Sequence, residues 1–250
     1  MIFRLRKILS EVKELYSKPA SPDRFKAYIT KLQGGTKADL ALPITGFNPM
    51  AKDHILTKIE ALEKLAAEDI MQESINKFNA TLKDSNDDEI TVLLNIADDL
   101  KGGWTNFYTT DFDSKFKINA FVKRQFCVPY FWSSESYSQK IIETRTLDYL
   151  SRTLYRINNP QPISLEEHLN QEIFVAQLGN SQTMTYNQAD YVEAESYYLE
   201  HKHSEKYDRI FNFFYGDEGS FSVGYKSFGS RPILGFDYSK IVAEKRKNNT

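Results

Sequence analysis

Apolar residues recur at steps of three and four along much of this chain, the period of a helix with one buried face. Ile2, Leu5, Leu9, Val12 and Tyr16 form one such stripe and predict an amphipathic helix over residues 1–17, ended by Pro19 and Pro22. A short helix is expected from Pro22 to Leu32, closed by Gly34-Gly35, and an irregular connection over 36–49. Met50 to Lys101 holds no glycine or proline. Ile55, Ile59, Leu62, Ala66 and Ile70, continued by Ile75, Phe78 and Leu82, predict one long helix, or two with a hinge near Glu68-Asp69. Ser85 and Asp88 have capping-box spacing, and Ile90, Leu93, Leu94, Ala97 and Leu100 predict a further helix with Gly102 at its C-terminal cap.

Residues 102–113 read as a polar-aromatic loop, followed by a helix over about 114–125. The apolar run Phe126 to Trp132 contains Pro129 and fits either a kinked buried helix or an extended segment. Helices are expected within 133–158 and from Ser164-Leu165-Glu166-Glu167, a capping box, to Gly179. Helical sequence resumes over 187–215 with a joint near His203-Ser204. Five glycines then fall within 216–236, and Phe221, Val223 and Tyr225 alternate with Ser222 and Gly224, which predicts an irregular β-like segment or hairpin. A final helix over about 237–247 ends in Lys245-Arg246-Lys247. The pattern predicts a mainly α fold: a single compact domain, 1–250, of about eight helices with a small β-hairpin element near the C-terminus.

Composition narrows the class. Eleven glycines and eight prolines in 250 residues fall below average usage, which favours helices over a many-turned β fold. Seventeen phenylalanines, fifteen tyrosines and two tryptophans supply a large core, with tyrosine hydroxyls placed at its boundary. Lys+Arg (32) nearly balances Asp+Glu (34), which argues against a nucleic-acid binder and against a polybasic membrane-surface protein. The single cysteine, Cys127, allows no intrachain disulfide and no cysteine-ligated zinc site. The basic residues near Met1 interrupt the apolar ones, and Glu11 and Glu14 follow, so a packing helix is expected rather than a targeting segment. These readings predict a soluble, cytoplasmic protein with no membrane partner and no cofactor.

Motif chemistry excludes more than it selects. Gly219 to Ser227 approaches a phosphate-binding loop, but Tyr225 separates Gly224 from Lys226, and the turn requires that pair to be adjacent. Neither a dinucleotide-binding glycine motif nor a nucleophile elbow is present. Candidate catalytic acids are Asp98 and Asp99, at the end of an expected helix, and Asp111 and Asp113. The latter two have loop-chelate spacing, although Asp113 suits equally an N-cap for a helix at Ser114. Of the four histidines, His203 follows Glu200 by three residues, a metal half-site; His168 is the remaining candidate ligand. No second half-site matches it.

Two segments stand out as recognition surfaces, 102–113 and 216–236, with Trp104, Asn106, Tyr108, Tyr225 and Arg231 as candidate ligand-binding residues. The function expected first is therefore non-catalytic binding of a protein partner or small molecule. The alternative is a metal-assisted hydrolase or transferase using clustered aspartates with a histidine from His54, His168 or His203. An oligomer formed through the N-terminal helix is a third expectation.

Overall fold

The computed structural model describes residues 1–34, 40–44, 54–82, 88–100, 105–179 and 187–248. Among these, eleven helices and five short strands are formed, so the chain is mainly α. The chain resolves into two compact units, one of residues 1–114 and 120–150, the other of 115–119 and 151–250.

The first unit opens with strand β1 (Ile2–Leu5), not with the helix expected from residue 1; helix α1 (Leu9–Ser17) begins only after it. Phe3 is buried in β1 and Leu9, Val12, Leu15 and Tyr16 in α1, so the stripe was apolar for two different reasons. Helix α2 (Pro22–Gln33) is stopped by Gly34 in the left-handed region, as expected, and is capped by Ser21, whose side chain accepts the Arg24 N–H. Helices α3 (His54–Lys64) and α4 (Ala67–Asn79) meet at Ala66, with φ 52°. The hinge thus precedes Glu68 because Glu68 is occupied elsewhere: its carboxylate accepts the N–H groups of Ile8 (2.5 Å) and Leu9 (3.0 Å) at the start of α1. Asn79, at the end of α4, accepts from the Phe3 N–H and donates to the Phe3 carbonyl. The apolar face of α1 is covered inside its own unit by α2 and α3.

Residues 90–100, expected as a helix, form strands β2 (Glu89–Val92) and β3 (Asn95–Ala97). The run of residues 126–132 is extended, as β4 (Phe126–Cys127) and β5 (Tyr130–Trp132). β1, β2 and β4 pair parallel in that order, with Phe3 opposite Ile90 and Val92 opposite Cys127. β3 and β5 pair parallel, Asn95 opposite Tyr130 and Ala97 opposite Trp132. The Leu93 and Asn95 N–H groups bond to the Cys127 and Pro129 carbonyls, so the ladder continues across the break between the two pairs. Helices α5 (Phe107–Phe116) and α6 (Asn119–Val122) occupy the crossover between the two strand runs. Helix α5 starts seven residues earlier than expected. Asn106 sits at its head and accepts the Thr109 N–H, which leaves Asp113 as an exposed mid-helix residue and not the cap.

Helix α7 (Gln139–Asn158) follows, and then α8 (Leu165–Leu178), α9 (Gln188–His201), α10 (Tyr207–Ser222) and α11 (Leu234–Asn248). The Ser164–Glu167 capping box forms as predicted, and the joint between α9 and α10 lies at residues 202–206. The β-like segment expected over 216–236 is absent. Gly216 (φ 67°) kinks α10, which continues to Ser222, and a turn leads into α11. Gly216 is required there: a Cβ would lie 2.5 Å from the Arg231 backbone. Asp217 organises that turn by accepting the N–H groups of Phe228 (2.9 Å), Gly229 (3.1 Å) and Ser230 (3.3 Å). The second unit's core holds Phe116, Phe211, Phe213 and Phe214, with Arg152 and Glu172 paired within it at 2.6 and 2.8 Å. Ser85, Gly102 and Trp104 lie outside the described residues.

Candidate functional site

Parallel strands carry their exposed chemistry at their carboxyl ends, where the chain leaves the ladder and side chains converge. In the first unit β3 runs into Asp98-Asp99 and β5 runs into Ser133-Ser134, with the Ser133 N–H still bonded to the Ala97 carbonyl. This pairing brings the four side chains together. The Ser133 hydroxyl, fully buried, donates to Asp98 Oδ1 at 2.7 Å and lies 3.0 Å from Asp99 Oδ1. Its oxygen accepts the Asp99 N–H at 3.2 Å. Asp99 is otherwise held by the Ser134 N–H (2.9 Å) and hydroxyl (2.5 Å). Asp98 folds back to accept the Leu100 N–H at 3.1 Å, the local bond typical of an aspartate at a turn.

The fifth member arrives from helix α3. His54 Nε2 lies 3.0 Å from both Asp98 oxygens. Asp98 is 2% exposed, whereas the His54 side chain is about a quarter exposed. The geometry assigns the Nε2–H tautomer, because a carboxylate flanked by other donors can only accept. That leaves the lone pair on Nδ1, and no described residue bonds to it. The arrangement is an imidazole anchored through Nε2 by a buried acid, with its second nitrogen bonded by no described residue. Ser133 does not have the geometry of a nucleophile: it bonds to the acid rather than to the histidine, and it has no access to solvent.

Lys58 lies one turn beyond His54 on α3. Its ammonium donates to the Glu135 carbonyl at 2.8 Å and rests 5.5 Å from the Tyr137 ring centre. Among the described residues no carboxylate is within ion-pair distance of it. The Glu135 carboxylate is engaged by Arg145 and by the Trp132 N–H. The acid holds Arg145 above its ordinary value although burial alone would lower it.

The other expected site residues are dispersed. Asp111 is buried on α5 and acts electrostatically on Arg145, while Asp113 is exposed. Tyr108 stands edge-on to Phe107, which packs on Trp132. In the second unit Tyr225 packs edge-on against Tyr207 and Phe211, and Arg231 pairs with Asp190 and Asp237. The candidate metal ligands do not meet. Glu200 and His203 are exposed at the end of α9, with His203 facing Glu166 at 3.7 Å. His168 is buried against Phe116, bonds through Nδ1 to the Ser164 carbonyl, and is pushed below its ordinary pKa by burial. Among the described residues no three His, Cys, Asp or Glu side chains converge to hold a metal, so Glu200, His203 and His168 are not brought together.

A groove of about 290 Å³ runs along α7 beside Arg145, but its lining includes none of the dyad residues. No helix among the described residues is long and apolar enough to cross a membrane. No protein-family model, curated protein or solved structure matches this chain.

Proposed function

We propose that this protein is an enzyme of the hydrolase or transferase type, acting by general acid–base catalysis with His54 as the proton carrier and Asp98 as its orienting acid. One observation carries the reading: a buried carboxylate 3.0 Å from Nε2 of a partly exposed imidazole whose Nδ1 is bonded by no described residue. Asp98 supports the role in two ways. It fixes the tautomer, and its charge stabilises the imidazolium formed when Nδ1 takes a proton. The position at the carboxyl ends of parallel strands favours the same reading.

Recognition through 102–113 and 216–236 has less support, since Asn106, Tyr225 and Arg231 serve internal contacts. Its remaining observation is Phe221, 83% exposed.

Carbethoxylation by diethyl pyrocarbonate, read by mass spectrometry at each histidine, tests the dyad without a substrate. His54 is expected to react at least as fast as the exposed His203, despite being the more buried of the two. Asp98→Asn is expected to slow His54 several-fold and leave His203 unchanged, in a variant whose thermal transition shows it folded. A His54 as unreactive as the buried His168, or indifferent to Asp98→Asn, overturns the proposal.

A further inference from the structure

Resting on the acid–base reading, we infer that the substrate is a neutral carboxylic ester, and that Lys58 binds its carbonyl oxygen as negative charge develops there. His54 and Lys58 are four residues apart on α3 and so share a face, with Cβ atoms about 6 Å apart. Both reach to the ends of adjacent parallel strands: His54 to Asp98 after β3, Lys58 to the Glu135 carbonyl after β5. The ammonium carries three protons. One goes to a neutral carbonyl, and among the described residues no acid neutralises its charge. The ammonium also lies 5.5 Å from the Tyr137 ring centre.

Local charge selects the substrate class. Asp98 and Asp99 share the Ser133 hydroxyl, and the Glu135 carboxylate is matched by Arg145. Lys58 and the two aspartates at the strand ends together hold no surplus of positive charge. A phosphate ester, anionic before reaction, meets that field at a disadvantage. A neutral carbonyl does not, because its oxygen becomes anionic only as His54 becomes cationic, and the site's net charge stays constant. The steps balance. Water attacks the acyl carbon, its proton passes to His54 Nδ1, and the carbonyl electron pair moves to the oxygen at Lys58. The carbonyl re-forms, the acyl–oxygen bond breaks, and the departing alkoxide takes the proton from His54.

The probe is 4-nitrophenyl acetate, with bis(4-nitrophenyl) phosphate as comparator, on the full chain and on His54→Gln, Lys58→Met and Lys58→Arg. Lys58→Met is expected to lower kcat for the acetate about 100-fold with KM little changed, the mark of a contact made in the transition state. Lys58→Arg is expected to recover part of the loss, and His54 carbethoxylation in Lys58→Met to stay at the wild-type rate. The phosphate diester is expected to be the poorer substrate. Undiminished turnover by Lys58→Met removes Lys58 and leaves the dyad standing. Loss of turnover together with slowed carbethoxylation makes Lys58 a prop for the loop and also overturns the inference. Wild-type acetate turnover no faster than that of His54→Gln, or faster turnover of the phosphate diester, overturns the substrate class, while carbethoxylation alone decides the dyad.

Discussion

Asp217 shows how much one side chain can organise when its acceptors are matched. Partial burial alone would raise its pKa. The Asn212 amide and the N–H groups of Phe228, Ser230 and Gly229 outweigh that and hold the carboxyl below its ordinary value of 3.8. A depressed folded value means that the stabilisation is present above pH 3.8 and is lost as pH falls through the folded value. Asp217→Asn is therefore expected to cost about 1–3 kcal/mol at pH 7, with the gap to wild type closing below pH 3.8, as read by urea titration across pH. The same matching explains why the site was only half legible. Asp98 and Asp99 are conspicuous as a pair, and the histidine that completes them is one of three candidates in the sequence. Yet His54 lies 44 positions away, and nothing in local spacing selects it over His168 or His203. Ser133 and Lys58 carry no local signature at all, since a serine after an aromatic run and a lysine on a helix are ordinary. Their roles come from strand register and from helix phase.

At the level of elements, the Ser164–Glu167 box and Gly34 place caps where the backbone has orphan groups, whereas the cap spacing of Asp113 is not used. Periodicity alone did worse. Ile90, Leu93, Leu94 and Ala97 fit a helical stripe, but Ile90 lies on a strand where buried residues alternate with Glu89 and Thr91, and Leu93 and Leu94 are buried in the link to β3. The β-branched run Ile90-Thr91-Val92 was the overlooked cue. Glycines over 216–236 suggested turns between strands, whereas Gly216 serves a kink inside a helix. The start of α1 was equally hidden, because its cap is borrowed from α4. Burial raises the Glu68 pKa above 4.5, while the Leu9 and Ile8 N–H groups oppose the rise. A raised folded value means that this carboxyl favours folding below its unfolded value and ceases to as pH rises through the folded one. Glu68→Gln keeps an acceptor and removes the titration. Its thermal midpoint relative to wild type is expected to be higher at pH 7 than at pH 4.5. Glu68→Ala, lacking the acceptor, is expected to lose about 1 kcal/mol by calorimetry.

Across the whole molecule, each unit builds its own core. The first packs aliphatic side chains with Phe3, Phe112, Phe131 and Trp132 around parallel strands; the second gathers Phe116, Phe211, Phe213 and Phe214 in tilted and edge-on contacts and also buries an ion pair. The Arg152–Glu172 pair is the second unit's most exposed liability in energetic terms, since both side chains are almost fully buried. Removing one partner strands a charge in the interior. Glu172→Ala is expected to cost about 3–5 kcal/mol, and Arg152→Met with Glu172→Leu distinctly less. Hydrogen exchange should place the loss in α8 and α11, with β2 and β3 still protected. Aromatic abundance and scarce glycine correctly indicated a helical chain with a large core. They carried no information about the parallel strands, which amount to few residues and yet position Asp98, Asp99, Ser133 and Ser134 of the candidate site.

Asn79 bears on how such a chain survives at high concentration. β1 forms the rim of its sheet, and an unguarded rim recruits strands from neighbouring molecules into fibres. The Asn79 carboxamide imitates a peptide group and occupies both the donor and the acceptor of Phe3, so a foreign strand finds the middle of β1 already taken. One side chain thereby gives the molecule a guard against self-templating.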